Sequence, residues 1–178
     1  DTSKPGVMHA AVAAGAGMIN DVFALRQDGA VQAAADLAVP VCLMHMLGNP
    51  RVMQVAPLYD DVVGEVAAFL RERAACCESH GVARENIVLD PGFGFGKTLQ
   101  QNIALFKALP GLRAIGYPLL VGVSRKSMLG QLTGRDTQDR LAASVTAAVL
   151  AAQMGAGIVR VHDVAATRDA LKVATALW

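Results

Sequence analysis

The side chains able to do chemistry in this 178-residue chain stand where short apolar runs stop. Asn20-Asp21 follow Met18-Ile19, His45 follows the run 39–44, and Asp90 follows Ile87-Val88-Leu89. Ser124-Arg125-Lys126-Ser127 follow the run 119–123, and Arg160 and His162-Asp163 punctuate the run 157–161. An isolated carboxylate such as Asp90 can accept a pair of hydrogen bonds from a ring N–H and an exocyclic amine. Cations and hydroxyls at a helix start, as in 124–127, make an anion site. Together they suit a small ligand carrying both nitrogen donors and negative charge.

Each motif has a plainer explanation. Asp before a helix is a common N-cap, which accounts for Asp21 or Asp163 taken singly as well as a ligand would. The segment Asp90-Pro91-Gly92-Phe93-Gly94-Phe95-Gly96-Lys97-Thr98 ends like a phosphate loop, yet Pro91 stands where that pattern needs glycine and Lys97 where a dinucleotide fingerprint needs one. What remains is a glycine-spaced loop with two aromatics, of which Phe95 could lie on a flat ligand; core phenylalanines in a capped turn are the alternative. Alternation puts Arg160 and His162 on one face of a strand expected to be buried, costly without a ligand or a carboxylate partner. His45 is more often a satisfied structural histidine than a ligand, and Met44 could touch a ring from its strand end. His9, His45, His80 and His162 match no zinc spacing, and His9 and His80 read as surface.

The elements that must carry these residues follow from the apolar pattern. Five short runs rich in Val, Ile and Leu lack strict alternation, which predicts parallel strands buried on both faces. Helical spacing between them predicts helices over 30–37, 59–79, 102–109, 139–154 and 167–177, with a further helical segment after Ser127. This βα alternation predicts an α/β fold, and ligands in such folds bind at the carboxyl ends of the strands. Five strand ends that all carry reactive residues are poorly explained by capping alone.

Composition narrows the function. Sixteen basic and fifteen acidic residues leave a formal charge of +1, with no basic run to mark a nucleic-acid surface. The 53% hydrophobic content is broken by charges before it could span a bilayer, so no membrane role is expected. Cys42 and the pair Cys76-Cys77 form neither a disulfide framework nor a zinc pattern, which fits a reducing cytoplasm.

In this order the segments Asp1 to Lys4, 15–21, 43–46, 90–97, 122–127 and 160–164 resemble the dihydropteroate synthases, pterin-binding enzymes of folate biosynthesis and targets of sulfonamides. The resemblance runs over the whole chain, read as one barrel domain, 1–178. It implies a TIM-type (β/α)8 barrel in which 6-hydroxymethyl-7,8-dihydropterin diphosphate and para-aminobenzoate condense to 7,8-dihydropteroate and diphosphate. Carried over by position, Asp1, Asn20, Met44, Asp90, Lys126 and Arg160 would meet the pterin. Phe95, Lys126 and Ser127 would meet the aminobenzoate, Arg160 and His162 the diphosphate, and Lys126, Arg160, His162 and Asp90 would form the catalytic set. The family also implies Mg2+ and a homodimer.

The resemblance starts at the end of the family's third strand. It therefore implies that the first two βα units are absent, and with them the loops associated with Mg2+ and part of the aminobenzoate site. No metal ligand is expected in these residues, and the 178 residues alone are expected to be inactive. A pterin-binding methyltransferase domain and a non-catalytic pterin-binding remnant are the alternatives. The anion-binding groups favour the diphosphate-releasing synthase, because methyl transfer needs no such site.

Overall fold

The computed structural model describes residues 1–48 and 59–177. Five strands, β1 (Ile19–Asp21), β2 (Val41–Met44), β3 (Ile87–Asp90), β4 (Leu120–Val121) and β5 (Ile158–Val159), lie parallel and side by side in chain order. The first three form one sheet and the last two another. A bridge from Leu89 to Leu119 and the bond from Leu89 N–H to Pro118 O, 2.9 Å, join them. At the other edge Thr2 N–H donates to Asn20 O at 3.0 Å, so the first residues extend alongside β1.

Helices return the chain between strands: α1 (Pro5–Ala13), α2 (Ala30–Leu37), α3 (Val62–Ser79), α4 (Leu99–Lys107), α5 (Leu109–Arg113), α6 (Ser127–Thr133), α7 (Leu141–Gln153) and α8 (Val164–Leu177). This sequential parallel arrangement is an open run of a (β/α)8 barrel, an incomplete one. Its main core lies between sheet and helices, where Val41, Leu43, Ile87 and Leu89 meet Val66 and Leu70 of α3 and Leu105 of α4. A second, small cluster of Cys42, Val88 and Leu120, with Met18 packed against it, lines the opposite, concave face.

Three departures from the expected elements have local causes. The helix expected over 102–109 begins at Leu99, because Thr98 and Gln101 form a reciprocal capping box, and Ala108 separates it from α5, which carries Pro110 in its first turn. Helix α1 is unanticipated: its Ala-rich sequence has no apolar stripe, and among its residues only Met8 is buried. The strand carrying Arg160 is not buried as expected, for Ile158 is 37% exposed and no described strand covers its outer edge.

Candidate active site

Strand register decides which side chains share the concave face. Asn20 pairs with Cys42 and Cys42 with Val88, and one step further Met44 pairs with Asp90. Period two puts Met18 and Asn20, Cys42 and Met44, and Val88 and Asp90 on the same side. Leu120 pairs with Ile158, so Gly122 and Arg160 follow on that side. The apolar row is the floor, and Asn20, Met44, Asp90 and Arg160 stand above it. Gly122 leaves room there, since a Cβ on it would sit 3.7 Å from that of Arg160.

Asp90 is 8% exposed and accepts Gly92 N–H through Oδ1 at 2.7 Å, an Asx turn that opens the glycine loop. Burial pushes its carboxyl above the usual range, against the pull of that N–H and of Lys126, Lys97 and Arg160. Asn20 donates to Asp1 Oδ1 at 3.0 Å, while its own Oδ1 is buried without a partner. Arg160 donates to the other Asp1 oxygen at 2.8 Å, an exposed pair that closes an Asn20–Asp1–Arg160 chain across the rim.

Lys126 caps the concave face from the loop after β4. Its Nζ donates to Phe93 O and lies 4.7 Å from the Phe95 ring centre. Burial pulls its ammonium down to about 8, with Asp90 opposing the fall and Arg160 adding to it. Ser127, exposed, is the first residue of α6, next to Lys126. The two aromatics divide: Phe93 is fully buried against Phe106, as the plainer explanation has it, and Phe95 is only partly buried beside Lys126. His162 leans on Ser124, whose Oγ receives the His162 backbone N–H at 3.2 Å and lies 3.0 Å from Nδ1.

A sequence profile described as "Pterin binding enzyme" matches residues 1–162. The chain belongs to the pterin-binding enzyme family. It is 51% identical over 176 residues to the dihydropteroate synthase of Escherichia coli K12, covering 99% of this chain and 62% of that relative. The structure superposes with a TM-score of 0.95 on Xanthomonas albilineans dihydropteroate synthase with 4-aminobenzoic acid, at 57% identity, over 99% of this chain and 63% of that one. Against the same enzyme in complex with 7,8-dihydropteroate the TM-score is 0.93, at 56% identity, covering 99% of this chain and 63% and 65% of the two respectively. The chain thus spans a little under two thirds of the length of these relatives.

In this member of the family some expected groups are otherwise employed. Arg125, the second cation of 124–127, does not face the concave side; it grips Asp163 with two bonds of 3.1 and 2.7 Å. That pair holds the loop after β4 to the start of α8, and Asp163 serves as an ion-pair partner there. Asp21 is not a helix cap, because a turn and no helix follows it; it is structural all the same, with Oδ1 and Oδ2 accepting Phe23 and Leu25 N–H, each at 2.9 Å. His45 is 6% exposed, packed edge-on against Phe69 and 3.1 Å from Lys97 Nζ. Burial and that neighbouring charge push its imidazole down to about 3, so it stays neutral.

Two residues that sequence reasoning missed build the loop. Lys97, 9% exposed, donates to Gly92 O at 2.8 Å and Phe95 O at 3.1 Å. Burial pulls its ammonium down to about 7, Asp90 raising it and Lys126 lowering it. Asn102, 3% exposed, receives Gly94 N–H at 2.8 Å and donates to Lys97 O and Thr98 O. The Thr98-x-x-Gln101 box signalled the helix that brings Asn102 inward; nothing local signalled the partners of Lys97. Among the described residues no three His, Cys, Asp or Glu side chains gather to hold an ion.

Proposed function

We propose that these residues are the greater part of a dihydropteroate synthase, one pterin-binding barrel unit over 1–178. In its reaction the amine nitrogen of para-aminobenzoate bonds to the exocyclic methylene carbon of the dihydropterin, the C–O bond to diphosphate breaks with its electron pair leaving on diphosphate, and the amine gives up a proton. The observation that carries this reading is the concave face itself. A buried carboxylate, an unpartnered buried amide oxygen on Asn20 and the arginine Arg160 stand over an apolar floor. Donor-rich flat heterocycles satisfy such acceptors, which in an unliganded pocket are costly to leave unmade.

In this reading Asp90 takes the ring N–H and amine of the pterin, Asn20 and Asp1 contact its far side, and Met44 lies against the ring. Arg160 stacks over the pterin and, with His162, faces the departing diphosphate. Positive charge there stabilises the anion as it develops. Phe95, Lys126 and Ser127 orient the aminobenzoate, a positioning contribution and not proton transfer. Family membership implies Mg2+ as a further stabiliser of the diphosphate; no step here runs through it.

An apolar groove of about 470 Å³ between α4, α6 and α7, where Leu132 and Leu150 are exposed beside Ile103 and Phe106, is a surface that the inferred homodimer would cover. Among the described residues no helix is long and apolar enough to cross a membrane. A cytoplasmic biosynthetic role fits the three free thiols.

Calorimetry of the free dihydropterin on a protein of the relatives' length carrying these residues tests the reading. Asp90→Asn presents donors to donors and should weaken binding by about 2–4 kcal/mol. Unchanged affinity with lowered thermal stability would leave Asp90 only its turn bond to Gly92.

A further inference from the structure

The glycine loop after β3 closes around a buried lysine that has no role in the proposed substrate contacts and reaches their site only through the Phe95 backbone. Lys97 has three N–H donors and three acceptors at hydrogen-bond distance: Gly92 O, Phe95 O and His45 Nδ1. Its donors are used up, so it has none left for a ligand. With Lys97 charged, His45 Nδ1 accepts and its proton lies on Nε2. Burying an ammonium is costly, and an apolar side chain could fill the same space without that cost. The charge therefore needs a reason, and the reason lies in what its partners are.

Those partners bind the loop at both of its ends. Gly92 has φ +70°, and a Cβ there would lie 1.8 Å from His45 O, so the loop starts pressed onto the end of β2. His45 N–H also donates to Asp90 O at 2.9 Å. Lys97 Nζ ties the ring of His45 to the carbonyls at the loop's beginning and at Phe95. Asn102 holds the intervening Gly94 N–H from the other side. The segment so framed delivers two groups to the aminobenzoate half of the proposed site: the Phe95 ring beside Lys126, and Phe93 O, which takes the Lys126 hydrogen bond.

We propose that Lys97 is a positioning residue for the aminobenzoate: its ammonium fixes the 92–97 loop so that Phe95 and Lys126 meet the aromatic amine in one geometry. The inference rests on the dihydropteroate synthase reading for the identity of that substrate. It acts through Phe95 and Lys126; Asn20 and Arg160 belong to other strand ends, and Asp90, at the end of β3, is held by its pairing with Met44 and by its own bond to Gly92 N–H.

The test is steady-state kinetics with each substrate varied, in a protein of the relatives' length carrying these residues. Lys97→Met should raise KM for para-aminobenzoate about tenfold while KM for the dihydropterin diphosphate stays within about twofold. Phe95→Ala should raise the aminobenzoate KM by itself, and adding Lys97→Met to it should raise it little further, because both act on one contact. Should Lys97→Met fail to fold, Lys97→Gln keeps a shorter donor and should show the same selectivity at smaller size. Equal effects on both substrates, or effects that multiply with Phe95→Ala, would overturn the proposal. A parent protein that makes no dihydropteroate brings down the functional reading instead; hydrogen exchange at the Gly94 and Phe95 amides then judges Lys97, faster exchange in the variant being expected and unchanged exchange overturning it.

Discussion

Two cations from different strand ends flank the concave face, and their surroundings separate their tasks. Arg160 bonds to Asp1 at the pterin rim, whereas Lys126 bonds to Phe93 O and faces the Phe95 ring. Arg160→Lys loses the planar fork and the stacking surface, so kinetics should degrade more for the dihydropterin diphosphate than for aminobenzoate. Lys126→Ala should chiefly raise the aminobenzoate KM; matching effects of both variants on both substrates would refute the division. Lys126 also sets a pH limit. With its ammonium pulled down to about 8, the free protein loses this charge as pH rises past that value. The aminobenzoate kcat/KM, which reports free-enzyme ionisation, should therefore fall above pH about 8. In Lys126→Arg the guanidinium stays protonated, so the fall near pH 8 should disappear and leave only the change near pH 7 where Lys97 loses its charge.

At the scale of elements, the junction between β2 and the loop after β3 depends on a missing side chain. Gly92 combines a positive φ with a Cβ position inside the contact distance of His45 O, so Gly92→Ala must displace backbone. Such strain should cost more than the ~1 kcal/mol that a side chain held in the left-handed region costs by itself, read as a lowered midpoint in urea unfolding. Thr98→Ala, by contrast, removes only a cap and should cost about 1 kcal/mol. The same elements mark what a sequence can disclose. Strand ends were legible because buried parallel strands leave an apolar run and then a reactive residue, as at Leu89-Asp90 and Met44-His45. Helix α1 was not, since its alanines give no period. The loop's frame was hidden because Lys97 bonds to backbone carbonyls and to His45, 52 residues away, and Arg125 meets Asp163 across 38 residues. Exposure of β5 was misjudged because the composition of a strand does not say whether another lies beside it.

For the whole molecule, the two-stranded sheet leaves β5 with an edge that no described strand covers and an apolar groove of about 550 Å³ between Val159, Val161 and α8, with Val164 and Val173 exposed nearby. Open strand edges and apolar patches of this kind favour association and loose packing. The 178 residues taken alone should therefore make no detectable dihydropteroate. A separate polypeptide matching the part of the E. coli relative that this chain does not span should restore turnover when mixed in. Clear turnover by the 178 residues alone would show that the concave face needs no further wall. The most direct measurement is a product assay on a protein of the relatives' length carrying these residues, given dihydropterin diphosphate, para-aminobenzoate and Mg2+. The expected result is 7,8-dihydropteroate and diphosphate released one for one. Pterin binding with neither dihydropteroate nor diphosphate released would contradict it.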